Sequence, residues 1–125
     1  MTIPQISEAE LEVMKILWEV KDATSTQIVE RFIGKSDWKP KTIHTLITRL
    51  VAKGAINASK IDGKSYIYTT NISEEEYKSY ANKSFLQKLY NGSINLMIAS
   101  FIKEQKLSKK EIDELKKLLD EEVLL

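Results

Sequence analysis

The chain opens with three stretches in which apolar residues return every three or four positions. A fourth stretch follows in which they alternate. Ser7-Glu8-Ala9-Glu10 is a capping-box sequence, in which serine and glutamate side chains satisfy each other's free backbone N–H groups. It predicts a helix over 8–20, with Leu11, Met14, Leu17 and Trp18 on one stripe. Thr24-Ser25-Thr26-Gln27 is a second start signal, followed by Ile28, Val29, Phe32 and Ile33 before Gly34. Pro40 suits the first turn of a third helix and Gly54 the position just past its end. Between them Ile43, Leu46, Ile47 and Leu50 make one apolar stripe. After Gly54 the period drops to two. Residues 55–60 lead into Asp62-Gly63, a hairpin-turn pair, and 65–70 return rich in β-branched and aromatic residues. Helix, helix, helix, hairpin is the order of a winged helix-turn-helix. Trp38, a lone aromatic beside an apolar stripe, is expected to pack beneath the third helix.

The second half is purely helical in pattern. Asn71-Ile72-Ser73 marks a junction, and Ser73-Glu74-Glu75-Glu76 is another capping box. The helix it starts runs to about Tyr90, where Asn91-Gly92 stops it. Ile94, Met97, Ile98, Phe101 and Ile102 mark a second helix, and Ser108 to Glu111 caps a third. The expected fold class is therefore mostly α with a small β-hairpin. Residues 1–72 are expected to form the winged helix and 73–125 a three-helix domain. The latter is too short to bury much core alone, yet it is rich in large apolar side chains. One solution is a homodimer formed through Phe85, Leu89, Ile94, Met97, Ile98, Phe101, Ile112, Leu115, Leu118 and Leu119. The other is that these helices fold back over the first domain.

Charge gives the third helix its meaning. The chain holds 19 basic and 18 acidic residues, so its total is uninformative. Residues 35–66, however, carry Lys35, Lys39, Lys41, Arg49, Lys53, Lys60 and Lys64 against only Asp37 and Asp62. The polar face of the third helix shows Lys41, Thr42, His44, Thr45, Thr48 and Arg49, with no carboxylate. Such a face suits a DNA major groove, where cations meet phosphates and small polar groups reach base edges. Lys41, Thr42, His44 and Thr45 are the expected base-edge or groove contacts. Lys39, Arg49, Lys60 and Lys64 are the expected phosphate contacts. A plain solvated helix face, and a hairpin whose lysines merely block edge pairing, are the competing readings.

Other chemistries find little support. There is no cysteine, so there is no disulfide, thiolate metal site or cysteine nucleophile. His44 is the only histidine, no Gly-rich phosphate loop exists among four glycines, and no nucleophile or paired-acid setting is recognisable. The expectation is a non-enzyme without cofactor or metal. With 42% hydrophobic and 30% charged residues, no apolar run near the ~20 residues of a membrane span, and no leader pattern, it is expected in the cytoplasm without membrane insertion.

These residues resemble the penicillinase-repressor family, which includes the β-lactamase and methicillin-resistance repressors of Gram-positive bacteria. The resemblance is carried by Ile6 to Met14 with Trp18, and by Trp38 to Ile43 with Thr45 to Leu50 and Lys53-Gly54. It continues through Phe85-Leu86, Tyr90-Asn91-Gly92, Ser108 and Glu111 to Leu115. It implies a winged helix, a helical dimerisation domain and repression at a palindromic operator. It also implies inactivation by cleavage in the dimerisation domain, often at an Asn–Phe bond, with a membrane sensor-transducer protease, or a protease it activates, as partner. The aligned pair here is Ser100-Phe101, which keeps the Phe and loses the Asn. Several relatives have Arg where this chain has His44. A copper-responsive branch uses Cys pairs that this chain lacks. The expected function is a homodimeric repressor of a β-lactam-resistance-type operon. Release by a small ligand and a protein-binding winged helix are the alternatives.

Overall fold

The computed structural model describes residues 3–123. Its elements run α1 (Glu8–Val20), β1 (Asp22–Ala23), α2 (Ser25–Phe32), α3 (Pro40–Ala52), β2 (Ile56–Ile61), β3 (Ser65–Thr70), α4 (Glu74–Tyr90), α5 (Ile94–Lys103) and α6 (Lys109–Val123). The chain divides into two compact units, Met1–Tyr80 and Ala81–Leu125. Helix α4 starts in the first and ends in the second.

In the first unit each helix start is local chemistry. Ser7 Oγ accepts the Glu10 N–H while the Glu10 carboxylate accepts the Ser7 N–H. Thr24 and Gln27 repeat the arrangement at α2, and Ser73 and Glu76 at α4. Val13, Met14 and Leu17 of α1, Ile28 and Phe32 of α2, and Ile43, Leu46, Ile47 and Leu50 of α3 converge in one core. Ala23, Ala55, Ile56 and Ile72 complete it from the sheet and its flanks.

Several details depart from the sequence reading. Val13 is fully buried while Leu11 is only half-buried, so the α1 stripe centres one position away from the expected Leu11 side. Ile33 lies outside the core, 72% exposed, because α2 ends at Phe32 and the backbone turns to β geometry at Ile33. Trp38 does pack against the core, as expected; it is half-buried, and its ring partner is Phe32 of α2, with centroids 5.2 Å apart. The hairpin gains a third strand. The two residues of β1 pair antiparallel with β3, Asp22 with Thr69 and Ala23 with Tyr68, giving the order β1-β3-β2. The hairpin itself pairs Ile61 with Ser65, and Asp62 and Gly63 both take positive φ in the connection.

Two long-range polar ties hold α1 in place. The Trp18 indole N–H donates to the Ile72 carbonyl at 2.8 Å, and its ring packs on Tyr77 of α4. At the other end Glu10, only 2% exposed, binds the ammonium of Lys53. Lys53 also donates to the Gln5 carbonyl at 2.9 Å. Burial pushes the Glu10 carboxyl up, but the Lys53 hydrogen bond, the Ser7 backbone N–H and the Lys53 charge together outweigh it. The group is held below its ordinary value of 4.5.

In the second unit Ser93 caps α5 by accepting the Leu96 N–H, and Ser108 and Glu111 form a capping box on α6. The Ser108 backbone N–H and then its hydroxyl lower the Glu111 carboxyl. Phe85 and Tyr90 of α4 pack ring against ring at 5.8 Å.

A carboxylate whose folded pKa is depressed stabilises the fold above its unfolded pKa and loses that contribution as pH falls through the folded value. Glu10→Gln should therefore cost about 1–3 kcal/mol at pH 7, the range for leaving a buried polar partner unmatched. The gap from the unsubstituted protein should close as pH falls below the ordinary 4.5. Urea unfolding of both proteins between pH 7 and pH 3 checks this, and a gap that stays constant would contradict it.

Candidate nucleic-acid interface

Helix α3 is built to be buried on one side only. Lys39 is its N-cap, without a side-chain cap bond, and Pro40 occupies the first turn, where its missing N–H costs nothing. At the far end the Gly54 N–H returns to the Val51 carbonyl and the Ala55 N–H to the Leu50 carbonyl, both at 3.0 Å. This is the Schellman closure, and it needs the positive φ that Gly54 supplies. Ile43, Leu46, Ile47 and Leu50 are buried at 5% exposure or less. Lys41, Thr42, His44, Thr45, Thr48 and Arg49 are all exposed, and no acidic residue lies between Lys39 and Gly54. The Thr45 hydroxyl donates to the Lys41 carbonyl at 3.0 Å and the Thr48 hydroxyl to the His44 carbonyl at 2.9 Å.

The hairpin is tied to the end of this helix. The Asn71 amide donates to the Gly54 carbonyl at 2.9 Å, and the Asn71 N–H to the Ala55 carbonyl. Asn71 also accepts from the Asn57 amide. Lys60 on β2 is exposed, its ammonium 5.6 Å from the centre of the Tyr66 ring, and Lys64 is exposed in the connection. One unit thus carries Lys39, Lys41, Thr42, His44, Thr45 and Arg49 on a helix and Lys60 and Lys64 on a hairpin anchored to that helix. Lys53 is different. It counts toward the positive charge of the region in sequence, but its charge is matched by Glu10. Thr48 lies in the same exposed row as Thr42 and Thr45 and was not among the expected contacts.

In the second unit no side chain of α4 or α5 is buried. Phe85, Leu89, Ile94, Leu118 and Leu119 are exposed, while Met97, Ile98, Phe101, Ile112 and Leu115 are half-buried. The Ser100–Phe101 bond lies inside α5, with the Tyr90 hydroxyl 3.5 Å from Ser100 Oγ. Among the described residues no group of three or more His, Asp or Glu side chains could hold a metal ion, and no helix is long and apolar enough to cross a membrane.

A family model described as penicillinase repressor matches residues 6–121. The penicillinase repressor of Bacillus licheniformis is 43% identical over 119 residues, covering 95% of this chain and 92% of that protein. The methicillin resistance regulatory protein MecI of Staphylococcus aureus is 41% identical over 116 residues, covering 93% of this chain and 94% of that protein. Among solved structures, that of monomeric Bacillus licheniformis BlaI in complex with the blaP half-operator is 45% identical. It covers 61% of this chain and 92% of that one, with a TM-score of 0.53. By fold, by the residues of α3 and by these comparisons, the chain belongs to the penicillinase repressor family, a family of repressors rather than enzymes.

Proposed function

We propose that this protein is a transcriptional repressor that binds an inverted-repeat operator as a homodimer. One observation carries the reading: α3 buries its whole apolar stripe and leaves a face of cations and hydroxyls with no carboxylate. A protein-binding winged helix would be expected to expose apolar side chains there instead. The relative solved with its half-operator supports the same reading. Lys41, Thr42, His44 and Thr45 then contact base edges or the groove, and Lys39, Arg49, Lys60 and Lys64 contact phosphates. The names of the relatives, a penicillinase repressor and a methicillin resistance regulatory protein, support genes for β-lactam resistance as the regulated ones. The open apolar faces of the second unit support pairing of two copies through α4, α5 and α6.

Operator affinity should fall steeply with salt, with a slope in log K against log salt of about −0.9 for each neutralised phosphate. Lys64→Ala should weaken preferred and random DNA by similar factors and lower the slope by about 1. Thr45→Ala should act mainly on the preferred site. Fluorescence titrations at several salt concentrations check all three. Salt-independent binding, or equal affinity for random DNA, would contradict direct operator recognition.

A chain ending at Tyr80 should fold, because it keeps Ile72 in the core and Tyr77 against Trp18. It should be monomeric and bind the full operator far more weakly, since it loses the effective concentration that linkage confers. Sedimentation of the full chain checks the pairing directly, and a monomer at micromolar concentration would overturn it.

Release from DNA by a cut between Ser100 and Phe101 completes the reading, through the sensor-transducer protease that the resemblance implies. The bond lies within a helix, so α5 must open locally before a protease can reach it. Mass spectrometry of the protein from induced cells should find the two fragments. An intact chain under full induction would replace proteolysis with release by a small ligand. A groove of about 490 Å³ between α1 and α2, lined by Ile16, Phe32, Trp38, Lys15, Arg31 and Lys35 among others, offers the space.

A further inference from the structure

Thr42, Thr45 and Thr48 follow one another at intervals of three along the exposed face of α3. Threonine has two branches at Cβ, a hydroxyl and a methyl. In Thr45 the hydroxyl lies 3.0 Å from the Lys41 carbonyl, and in Thr48 it lies 2.9 Å from the His44 carbonyl. Each hydroxyl proton is thereby committed to the helix's own backbone, four residues back. With the hydroxyl drawn against the helix, the branch left facing outward is Cγ2. Two exposed residues of the helix therefore present methyl groups where a polar contact is usually assumed.

We infer that Thr45 and Thr48 read thymine through their methyl groups, against the C5-methyl that only thymine shows in the major groove. This rests on the operator-binding reading above and refines it. A hydroxyl that already donates to a carbonyl cannot also donate to guanine N7 or O6 without breaking that bond. The methyl has no such cost. The two residues are three positions, about 4.5 Å of helix rise at 1.5 Å per residue, apart, comparable with the ~3.4 Å step between successive base pairs. Lys39 at the N-cap of the helix and Arg49 near its end supply the cations that bring it to the phosphates, so the threonines need carry only the discrimination.

The test begins by selecting the preferred inverted repeat of the full-length protein from random DNA. Each thymine of one half-site is then replaced in turn by deoxyuridine, which removes the C5-methyl and nothing else. One or two positions should lose about three- to fivefold in affinity, the worth of burying one methyl group. Thr45→Val and Thr48→Val keep the shape and the methyl, so whatever their overall affinity the deoxyuridine penalty at the matching position should remain. Thr45→Ser and Thr48→Ser keep the hydroxyl and lose the methyl. They should bind about three- to fivefold more weakly and no longer distinguish thymine from deoxyuridine at the matching position. Circular dichroism confirms that all four variants are folded. The mirror result, with the penalty kept in Ser and lost in Val, would overturn the inference in favour of hydroxyl contacts. Thymine positions that show no coupling to either residue would overturn it as well, while leaving operator recognition standing. Selection that yields no preferred sequence would instead remove the operator reading, and this inference with it.

Discussion

The burial of one face of α3 is the constraint on which the rest of the first unit depends. A helix that is to read a groove has to leave one side bare, so its other side alone must hold it. Ile43, Leu46, Ile47 and Leu50 do this against Val13, Met14 and Leu17 of α1 and Ile28 and Phe32 of α2. At about 1.5–3 kcal/mol for each fully buried large aliphatic side chain, four of them fasten the helix strongly without a single polar tether on its outer face. Pro40 and Gly54 then stop the helix at both ends by backbone chemistry. The exposed positions between are left to chemistry that the fold itself does not need.

Around that helix, polar ties act where apolar packing runs out. Glu10 belongs to the capping box of α1 yet also receives Lys53 from the end of α3, so the start of one helix is fixed to the end of another. Such a pair contributes little if both partners are in water. With the carboxylate almost wholly buried, losing either partner is costly, so the pair specifies the arrangement more than it adds net stability. Trp18 does similar work at the other end of α1, where its indole N–H ties the chain at Ile72 just before α4 begins.

The contrast with the sequence follows from interaction range. Helix starts were legible because a capping box is complete within four residues, as Ser7 with Glu10 and Thr24 with Gln27 illustrate. The ends of α3 were legible for the same reason, and so was the hairpin turn at Asp62-Gly63. The exposed face of α3 could be read from its periodicity, down to each residue between Lys41 and Leu50. What could not be read depends on distant partners. Two residues are too few for β1 to leave a pattern, and it forms only because β3 offers an edge. Nothing local marks Lys53 as a partner of Glu10 rather than a free surface cation, since the two lie 43 residues apart. The Thr45 and Thr48 hydroxyl bonds are local, but sequence shows only that a threonine is present and not which branch it turns outward.

The second unit poses the opposite problem. Its helices are as well capped as those of the first, by Ser93 and by Ser108 with Glu111, yet capping does not bury anything. Phe85, Leu89, Ile94, Leu118 and Leu119 remain open to water, and α5 closes no core of its own. Apolar area left exposed costs about 25 cal/mol per Å², so these faces favour any partner able to cover them. On the reading proposed here that partner is a second copy, and the stability of the unit becomes a property of the pair. The same thin packing bears on how such a pair is undone. A helix that is well buried opens only with the whole domain, whereas a helix with no buried side chain opens at a lower free energy. A scissile bond inside α5 would thus be protected while the pair holds and accessible when it breathes. On that reading, the shortage of core that would call for a partner copy would also make a single cut enough to dismiss it.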